Sequence, residues 1–307
     1  MFTLAHITDP HIGPLPQVGA RDLLNKRFFG YLSWKRRRHA IHRPEILTDL
    51  RRDLANIAPD HVAITGDLTN IALPQEFEQV LQWLNRLGQP DRITVIPGNH
   101  DAYVALPWER SIGQWSDYMA GDTGPGEESR PMTAGDFPAT RIRGDIALIG
   151  LTTAQATSLF LATGTVGHDQ LARLEDQLTS LGRKGFCRVV LLHHPPCPDG
   201  LAWRKRLVDA DDLLSVVRRS GAELVLHGHD HKFGSASIDS IDGRVAVFGV
   251  PSASAIADGK RPQSHYHLYG IDRSAKGWEI GVKVRRYDGR ETGFVESNAY
   301  SVTLERG

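Results

Sequence analysis

Cysteine is scarce in this chain of 307 residues, which contains only Cys187 and Cys197. Two cysteines are too few for a disulfide framework, and the nine residues between them do not match the spacing of a zinc-ribbon pair. We therefore expect a protein of a reducing, cytoplasmic compartment.

The chain also lacks an excess of either charge, because 36 Lys and Arg residues balance 36 Asp and Glu residues. Proteins that hold nucleic acid through their overall charge need a strong basic excess, so this balance argues against that class of partner. With 40% hydrophobic and 23% charged residues, the composition is that of an ordinary globular protein.

Long apolar runs are missing too. The longest uncharged stretch, residues 146–167, is long enough to span a bilayer but contains five threonines. This content favours a buried strand followed by a loop, so we predict no transmembrane helix. The first residues, MFTLAHITDPH, lack the basic and apolar regions of a secretion signal and predict a strand.

Short apolar runs alternate with helical periodicity, the pattern typical of an α/β protein. The runs predict strands over residues 3–8, 61–65, 92–96, 146–151, 188–192, 223–226 and 245–250. Apolar stripes predict amphipathic helices over residues 46–57, 77–87 and 171–181. After Trp278 the apolar period changes to two, which predicts antiparallel strands within residues 277–307. A loop-like region covers residues 121–138, but no linker divides the chain, so we expect one domain over residues 1–307.

Polar side chains follow five of the predicted strands. They are Asp9 and His11, Asp67, Asn99 to Asp101, His193 and His194, and His227 to His231. Ligands gather at the loops that follow the strands of open α/β sheets. Carboxylate, amide and imidazole donors together suit Mn, Fe, Co, Ni or Zn, whereas Mg and Ca prefer oxygen alone. Seven good donors predict two metals that share a carboxylate, about 3.5–4 Å apart, with a bridging hydroxide as nucleophile.

The series D-x-H, G-D, G-N-H-D, H and G-H-x-H resembles the calcineurin-like metallophosphoesterase superfamily, with each motif after a strand. The motifs extend from Asp9 to His231, about three quarters of the chain. The resemblance implies a four-layer αββα sandwich of two mixed sheets flanked by helices. It also implies a hydrolase of phosphoester bonds that uses two divalent ions, with Mn, Fe or Zn expected.

The resemblance implies a role for each donor. The seven implied metal ligands are Asp9, His11 and His231 at the first ion, Asn99, His193 and His229 at the second, and Asp67 between them. His100 would stabilise the transition state or act as general acid, and Asp101 would orient the His100 imidazole through a hydrogen bond. The residues alone do not decide between His193 and His194, although the family pattern favours His193.

Neighbouring polar residues have ordinary explanations. We expect a structural role for His227, a helix cap or surface position for His168, and an inert thiol for Cys197.

The G-N-H-D form is common among phosphodiesterases of this superfamily, so we expect a phosphoric diester as substrate. Cyclic nucleotides, glycerophosphodiesters, aryl diesters and other small nucleotide-type substrates remain undistinguished. A non-catalytic scaffold, as in the retromer-type members that have lost ligands, is an alternative of a different class.

Residues 21–43 form a basic and aromatic insertion, with eight Lys or Arg residues against one Asp. One interpretation is a structural lid with a solvated basic face. A second is contact with an anionic membrane surface, peripheral to the inner membrane. Similar insertions are found in members that resemble the UDP-diacylglucosamine pyrophosphatases, so a lipid-linked nucleotide-sugar pyrophosphatase is an alternative function. A nucleic-acid contact is the third interpretation.

Overall fold

The computed structural model describes residues 1–123, 130–197, 200–259 and 261–305. Six residues of the predicted loop-like region 121–138 lie outside the described residues. The last two residues of the predicted strand region 277–307 lie outside them as well.

Twelve strands and seven α-helices form within the described residues. The strands are β1 (Phe2–Ile7), β2 (His61–Thr65), β3 (Ile93–Ile96), β4 (Ala139–Arg143), β5 (Ile146–Gly150), β6 (Cys187–Leu191), β7 (Leu224–His227), β8 (Gly234–Ser240), β9 (Gly243–Gly249), β10 (His265–Ser274), β11 (Gly277–Tyr287) and β12 (Phe294–Glu305). The helices are α1 (Arg27–Ser33), α2 (His39–Ile41), α3 (Pro44–Ile57), α4 (Pro74–Leu87), α5 (Ser116–Met119), α6 (His168–Arg183) and α7 (Ala210–Ser220).

The strands form two six-stranded mixed sheets, in the orders β12-β11-β10-β1-β2-β3 and β4-β5-β6-β7-β9-β8. The sheets pack against each other where β9 contacts β12 and β3 contacts β5. Helices cover the outer faces, because α3 contacts β12 while α6 contacts β6 and α7 contacts β8. The expected α/β fold of two mixed sheets flanked by helices is thus confirmed.

Each sheet has a parallel centre. Strands β1, β2 and β3 pair in parallel in the first sheet, and β5, β6, β7 and β9 do so in the second. Every residue of β2, β3, β5, β6 and β7 is buried. Strands covered on both faces need continuous apolar runs, which explains why the sequence predicts them.

The basic insertion 21–43 folds into short helical pieces. Helix α1 runs directly into a π-helical turn, Trp34–Arg38, and then into α2. The arginines of the insertion differ in burial. Arg27 is buried and donates to the carbonyls of Ile71 and Ala72. Arg36 and Arg37 are exposed. Among the described residues, no helix is both long enough and apolar enough to cross a bilayer.

A buried ion pair ties the second sheet to its helices. The guanidinium of Arg188 in β6 is fully buried and donates to both carboxylate oxygens of Glu223 at 3.0 Å. It also donates to the carbonyls of Leu178 and Ser220, near the ends of α6 and α7.

We expect Glu223→Ala to lower the free energy of unfolding by about 3 kcal/mol, because it leaves the buried Arg188 with only the part-exposed Asp242, at 2.9 Å, as an acidic partner. Urea unfolding measures this loss. Glu175→Ala is the matched control, because Glu175 pairs with Arg219 on the surface at 2.8 Å and such pairs contribute at most about 1 kcal/mol. Equal losses in the two variants would contradict the role of the buried pair.

Candidate metal centre

The loops after β1, β2, β3, β6 and β7 meet at one edge of the two sheets. They bring together all seven side chains predicted as metal ligands: Asp9, His11, Asp67, Asn99, His193, His229 and His231. Donor atoms of Asp9, His11, Asp67 and His231 lie within 4.8 Å of one another, and those of Asp67, His193 and His229 do the same. Asp67 is therefore shared by two adjoining groups of donors.

The distances within each group are those of ligands around one ion. In the first group, His231 Nε2 lies 3.0 Å from Asp9 Oδ1, and His11 Nε2 lies 3.9 Å from both Asp9 Oδ1 and Asp67 Oδ2. In the second, His193 Nε2 lies 3.4 Å from Asp67 Oδ1. The amide oxygen of Asn99 completes this group, 3.1 Å from His193 Nε2 and 2.8 Å from His229 Nδ1.

Backbone carbonyls orient two of the imidazoles. The Nδ1 atom of His11 donates to the carbonyl of Thr69 at 3.0 Å, and that of His193 donates to the carbonyl of Thr65 at 2.6 Å. These bonds direct each Nε2 atom toward the carboxylates. Such outer contacts fix both the tautomer and the orientation of a histidine ligand.

The loops carry unusual backbone angles at the donors. Asp9, His11, Asp67, His229 and His231 all have positive φ, between 40° and 74°. Residues other than glycine adopt this region rarely, and such conformations cluster at functional sites. The backbone at Gly228 also lies very close to Thr8. A methyl group at Gly228 would overlap Thr8 Oγ1, so this position requires glycine.

Two buried acids hold the loop that follows β2. Glu76 of α4 accepts hydrogen bonds from the backbone N–H groups of Asn70, Ile71 and Leu73. Asp101 accepts from the N–H groups of Leu68, Thr69 and Gly98 at 2.8–2.9 Å.

The predicted hydrogen bond from Asp101 to the His100 imidazole is therefore wrong. Asp101 turns away from that ring because three backbone donors, which need an acceptor once buried, surround its carboxylate. Its contribution is to shape the loop that presents Asp67.

His100 lies beside the donors. Its Nδ1 atom is 2.6 Å from the Asn70 carbonyl, and its ring stacks on Tyr103 with centroids 5.4 Å apart. Burial and then the neighbouring charge of Arg38 lower the pKa of His100 to about 3. The imidazole is consequently neutral near pH 7.

The electrostatics of the centre favour a cation. Burial opposes ionisation of Asp9 and Asp67, but neighbouring histidines, His231 at Asp9 and His193 at Asp67, keep the pKa values of both carboxyls below their usual range. Burial alone would lower the pKa of His193, yet Asp67 raises it to about 9. The two buried carboxylates thus hold a proton on His193. The same negative charge would stabilise a divalent cation.

The chemistry of the donor set tests whether the site fits metal. Its members are two buried carboxylates, the Asn99 amide oxygen and four imidazoles, and their donor atoms face one another. Carboxylate, amide and imidazole donors of this kind suit divalent transition metals. The residues present therefore fit divalent metal ions.

Two residues of the insertion reach the centre, and sequence analysis missed both. Arg38 places its guanidinium 3.1 Å from His11 Nδ1 and 3.3 Å from His100 Nδ1. His42 brings its ring centroid within 4.4 Å of that of His11 and bonds through Nδ1 to Ser254. The sequence feature that could have indicated both residues is the position of this basic segment, just after the Asp9 and His11 loop.

Four neighbouring residues lie outside the two groups of donors. His194 is buried, with Nδ1 2.7 Å from Thr153 Oγ1 and Nε2 3.2 Å from the Ala162 carbonyl, so both ring nitrogens have partners. His227 is buried with Nδ1 close to its neighbour's carbonyl. His168 begins α6 as an exposed residue, and Cys197 is half-buried against the core.

A sequence model of calcineurin-like phosphoesterases matches residues 2–233, about three quarters of the chain. This chain belongs to the calcineurin-like phosphoesterase family. The match extends over every loop that carries a predicted ligand. The family resemblance of the motifs is thereby confirmed.

Two curated relatives of this calcineurin-like phosphoesterase are phosphodiesterases. It is 27% identical over 176 residues to a glycerophosphodiester phosphodiesterase (GpdQ) of Enterobacter lignolyticus, a match that covers 56% of each chain. It is 25% identical over 265 residues to a 3',5'-cyclic-nucleotide phosphodiesterase of Nostoc sp., covering 84% of this chain and 82% of the relative. The chain thus spans little more than half of the first relative's length.

Solved structures share the fold of this calcineurin-like phosphoesterase at low identity. A dimetal phosphatase from Danio rerio superposes with a TM-score of 0.60 at 12% identity, over 99% of both chains. A purple acid phosphatase from yellow lupin has a TM-score of 0.58 at 11% identity, over 98% of this chain and 53% of the other. At such identities the likeness shows the fold alone.

We expect Asp101→Asn to lower the free energy of unfolding by about 1–3 kcal/mol, because an amide cannot accept from three surrounding N–H donors. Urea unfolding measures the loss. The exposed Asp169 provides the control variant Asp169→Asn, for which a change within about 0.5 kcal/mol is expected. An Asp101→Asn protein as stable as the control would show that the carboxylate does not organise the loop.

Proposed function

We propose that this calcineurin-like phosphoesterase is a phosphodiesterase that uses two divalent metal ions. The observation that carries the proposal is the position of Asp67, whose carboxylate belongs to two adjoining groups of donors. A single ion needs three or four such donors, whereas seven converge here. Asp9, His11 and His231 would hold one ion, and Asn99, His193 and His229 the other, with Asp67 between them.

The ions would lower the pKa of water and offset the negative charge of the phosphoryl group. Asp9 and Asp67 keep the centre anionic, and the loops hold their side chains in place before substrate arrives. His100 is neutral when the site is free, and an anionic phosphoryl group beside it would raise its pKa. Its imidazole would then donate a proton to the departing oxygen.

Arg38 is the second residue that we assign to the phosphoryl group. Its guanidinium lies between the His11 and His100 rings, where it would donate charge-assisted hydrogen bonds to a non-bridging oxygen. The Arg38 guanidinium also contacts the Asn70 carbonyl at 3.5 Å. This contact helps to fix the guanidinium in the position from which it would orient substrate.

The substrate class follows from the relatives and from the G-N-H-D sequence. The names of two curated relatives specify glycerophosphodiesters and 3',5'-cyclic nucleotides, and we propose a small phosphodiester here. A complete donor set argues against a non-catalytic scaffold. Contact of residues 21–43 with an anionic membrane, and action on a lipid-linked pyrophosphate, remain predictions.

We expect Asp67→Asn to lower turnover by at least about 100-fold and to reduce the bound metal, because it removes the shared carboxylate. Hydrolysis of bis(p-nitrophenyl) phosphate with Mn²⁺, together with metal content after gel filtration, measures both effects. The exposed Asp211 supplies the control variant Asp211→Asn. An Asp67→Asn enzyme with unchanged turnover and metal content would contradict the assignment.

We expect Arg38→Met to lower kcat/KM for the same diester by about 10- to 100-fold, the range for losing a charged hydrogen bond. Metal content should stay unchanged, since Arg38 supplies no metal ligand. Arg38→Lys should recover part of the loss because it restores the charge. Arg21→Met, an exposed arginine of the same insertion, is the control, and a loss of equal size there would rule out a specific role for Arg38.

A further inference from the structure

A cavity of about 660 Å³ opens beside the metal centre and has a strongly basic wall. Asp67, Asn99, His100, His229 and His231 lie at one end of it. Six cationic side chains line the remainder: Lys26, Arg36, Arg37, Arg38, Lys205 and Arg261. Besides Asp67 of the centre, only Asp230 among the described lining residues is acidic.

Most of these cations are not neutralised by the protein. Arg37 and Arg261 share Asp258, at 2.9 and 3.4 Å. Within the described ranges, no ion pair involves the other four cations, which are Lys26, Arg36, Arg38 and Lys205. The cavity therefore presents more positive charge than one phosphodiester, which carries a single negative charge, would require.

Burial makes this charge costly. Burial lowers the pKa of Lys26. Lys26 donates to the carbonyls of Thr157 and Leu161 and to the Thr157 hydroxyl, which satisfies its hydrogens but leaves its charge unbalanced. A desolvated cation is stabilised when an anion joins it, so such residues indicate the site of an anionic ligand.

Contacts locate three of these cations relative to the metal centre. Arg38 contacts His11 and His100 directly. Lys26 lies beyond His100, with its ammonium 4.7 Å from the centre of the Tyr103 ring that stacks on the His100 imidazole. Lys205 lines the same cavity and lies near enough to His229 for its charge to act on that imidazole.

We propose that the cavity binds a second phosphate group of the substrate, held by Lys205 and attracted by the charge of Lys26. The substrate is then a phosphodiester or phosphoanhydride that carries at least two phosphate groups. This inference rests on the proposed phosphodiesterase function and narrows its substrate class.

Apolar side chains of the same cavity suggest what joins the two phosphates. Leu32, Leu159 and Leu161 line it with Phe29 and Phe160, whose ring centroids are 5.4 Å apart. Phe29 and Phe160 are 43% and 71% exposed, so their rings are open to a planar or apolar group. A nucleoside meets this requirement and provides a matched pair of test substrates.

The test compares the 5'-(p-nitrophenyl phosphate) of thymidine with the same compound bearing a 3'-phosphate. Both release p-nitrophenol, and they differ only in the second phosphate. We expect the enzyme to prefer the 3'-phosphorylated compound by at least about 10-fold in kcat/KM. This ratio should fall toward about one in Lys26→Met/Lys205→Met.

Two further variants separate binding from structural effects. Lys205→Met alone should lower the ratio, and its ammonium donates no hydrogen bond within the described chain, so a folding defect is not expected. Lys35→Met is the matched control, because Lys35 belongs to the same insertion but does not line the cavity. Lys35→Met should leave both rates unchanged.

A ratio near one in the native enzyme, or a ratio that the lysine variants leave intact, would overturn the second-phosphate site while the phosphodiesterase function stands. If the metal-loaded enzyme hydrolyses no diester, the proposed function fails instead. In that case, calorimetric titration tests the second-phosphate site by itself. Tighter binding of thymidine 3',5'-bisphosphate than of thymidine 5'-monophosphate supports the site if the lysine variants lose the difference. Equal binding of the two nucleotides would overturn it.

Hydrolysis rates of CDP-glycerol and CDP-diacylglycerol, which carry the same diphosphate, distinguish a soluble substrate from a lipid. Faster hydrolysis of CDP-glycerol indicates a soluble substrate. Faster hydrolysis of CDP-diacylglycerol in mixed micelles indicates a lipid headgroup.

Discussion

Two buried carboxylates, Asp9 and Asp67, repel each other at the meeting point of the two sheets, and most of the surrounding structure compensates for this repulsion. Asp9 opposes the ionisation of Asp67, while His193 and His231 offset the charges. Backbone N–H groups contribute as well, because His100 donates to Asp67 and His229 donates to Asp9. Cations beside two such acids stabilise their charged forms, so the centre is organised around positive charge.

The fold makes this concentration of charge possible. Parallel strands at the centre of each sheet end at the same edge, so loops that are far apart in the sequence meet there. The left-handed backbone at the donors turns successive side chains inward. Asp101 and Glu76 accept the N–H groups that these sharp turns leave unpaired. Acids outside the donor set thus maintain the loops that carry it.

The sequence predicts the buried centre of the fold better than its edges. Strands β2 and β6 are continuous apolar runs, whereas β8 is mostly exposed and polar and gives no clear period. The sequence predicts that the seven side chains meet, because each stands in a short motif after a strand. The role predicted for Asp101 failed because adjacency to His100 does not show which donors face its carboxylate. Arg38 was missed because its contacts with His11 and His100 depend on how the insertion folds.

The π-helical turn Trp34–Arg38 determines which side chain of the basic run faces the histidines. A π turn contains one residue more than an α turn, and in a helix of 3.6 residues per turn a single residue corresponds to a rotation of about 100°. Deleting one residue there would swing a different member of the Lys35–Arg38 run toward the histidines. The length of this turn therefore selects the side chain that faces the histidines, independently of the motifs that follow the strands.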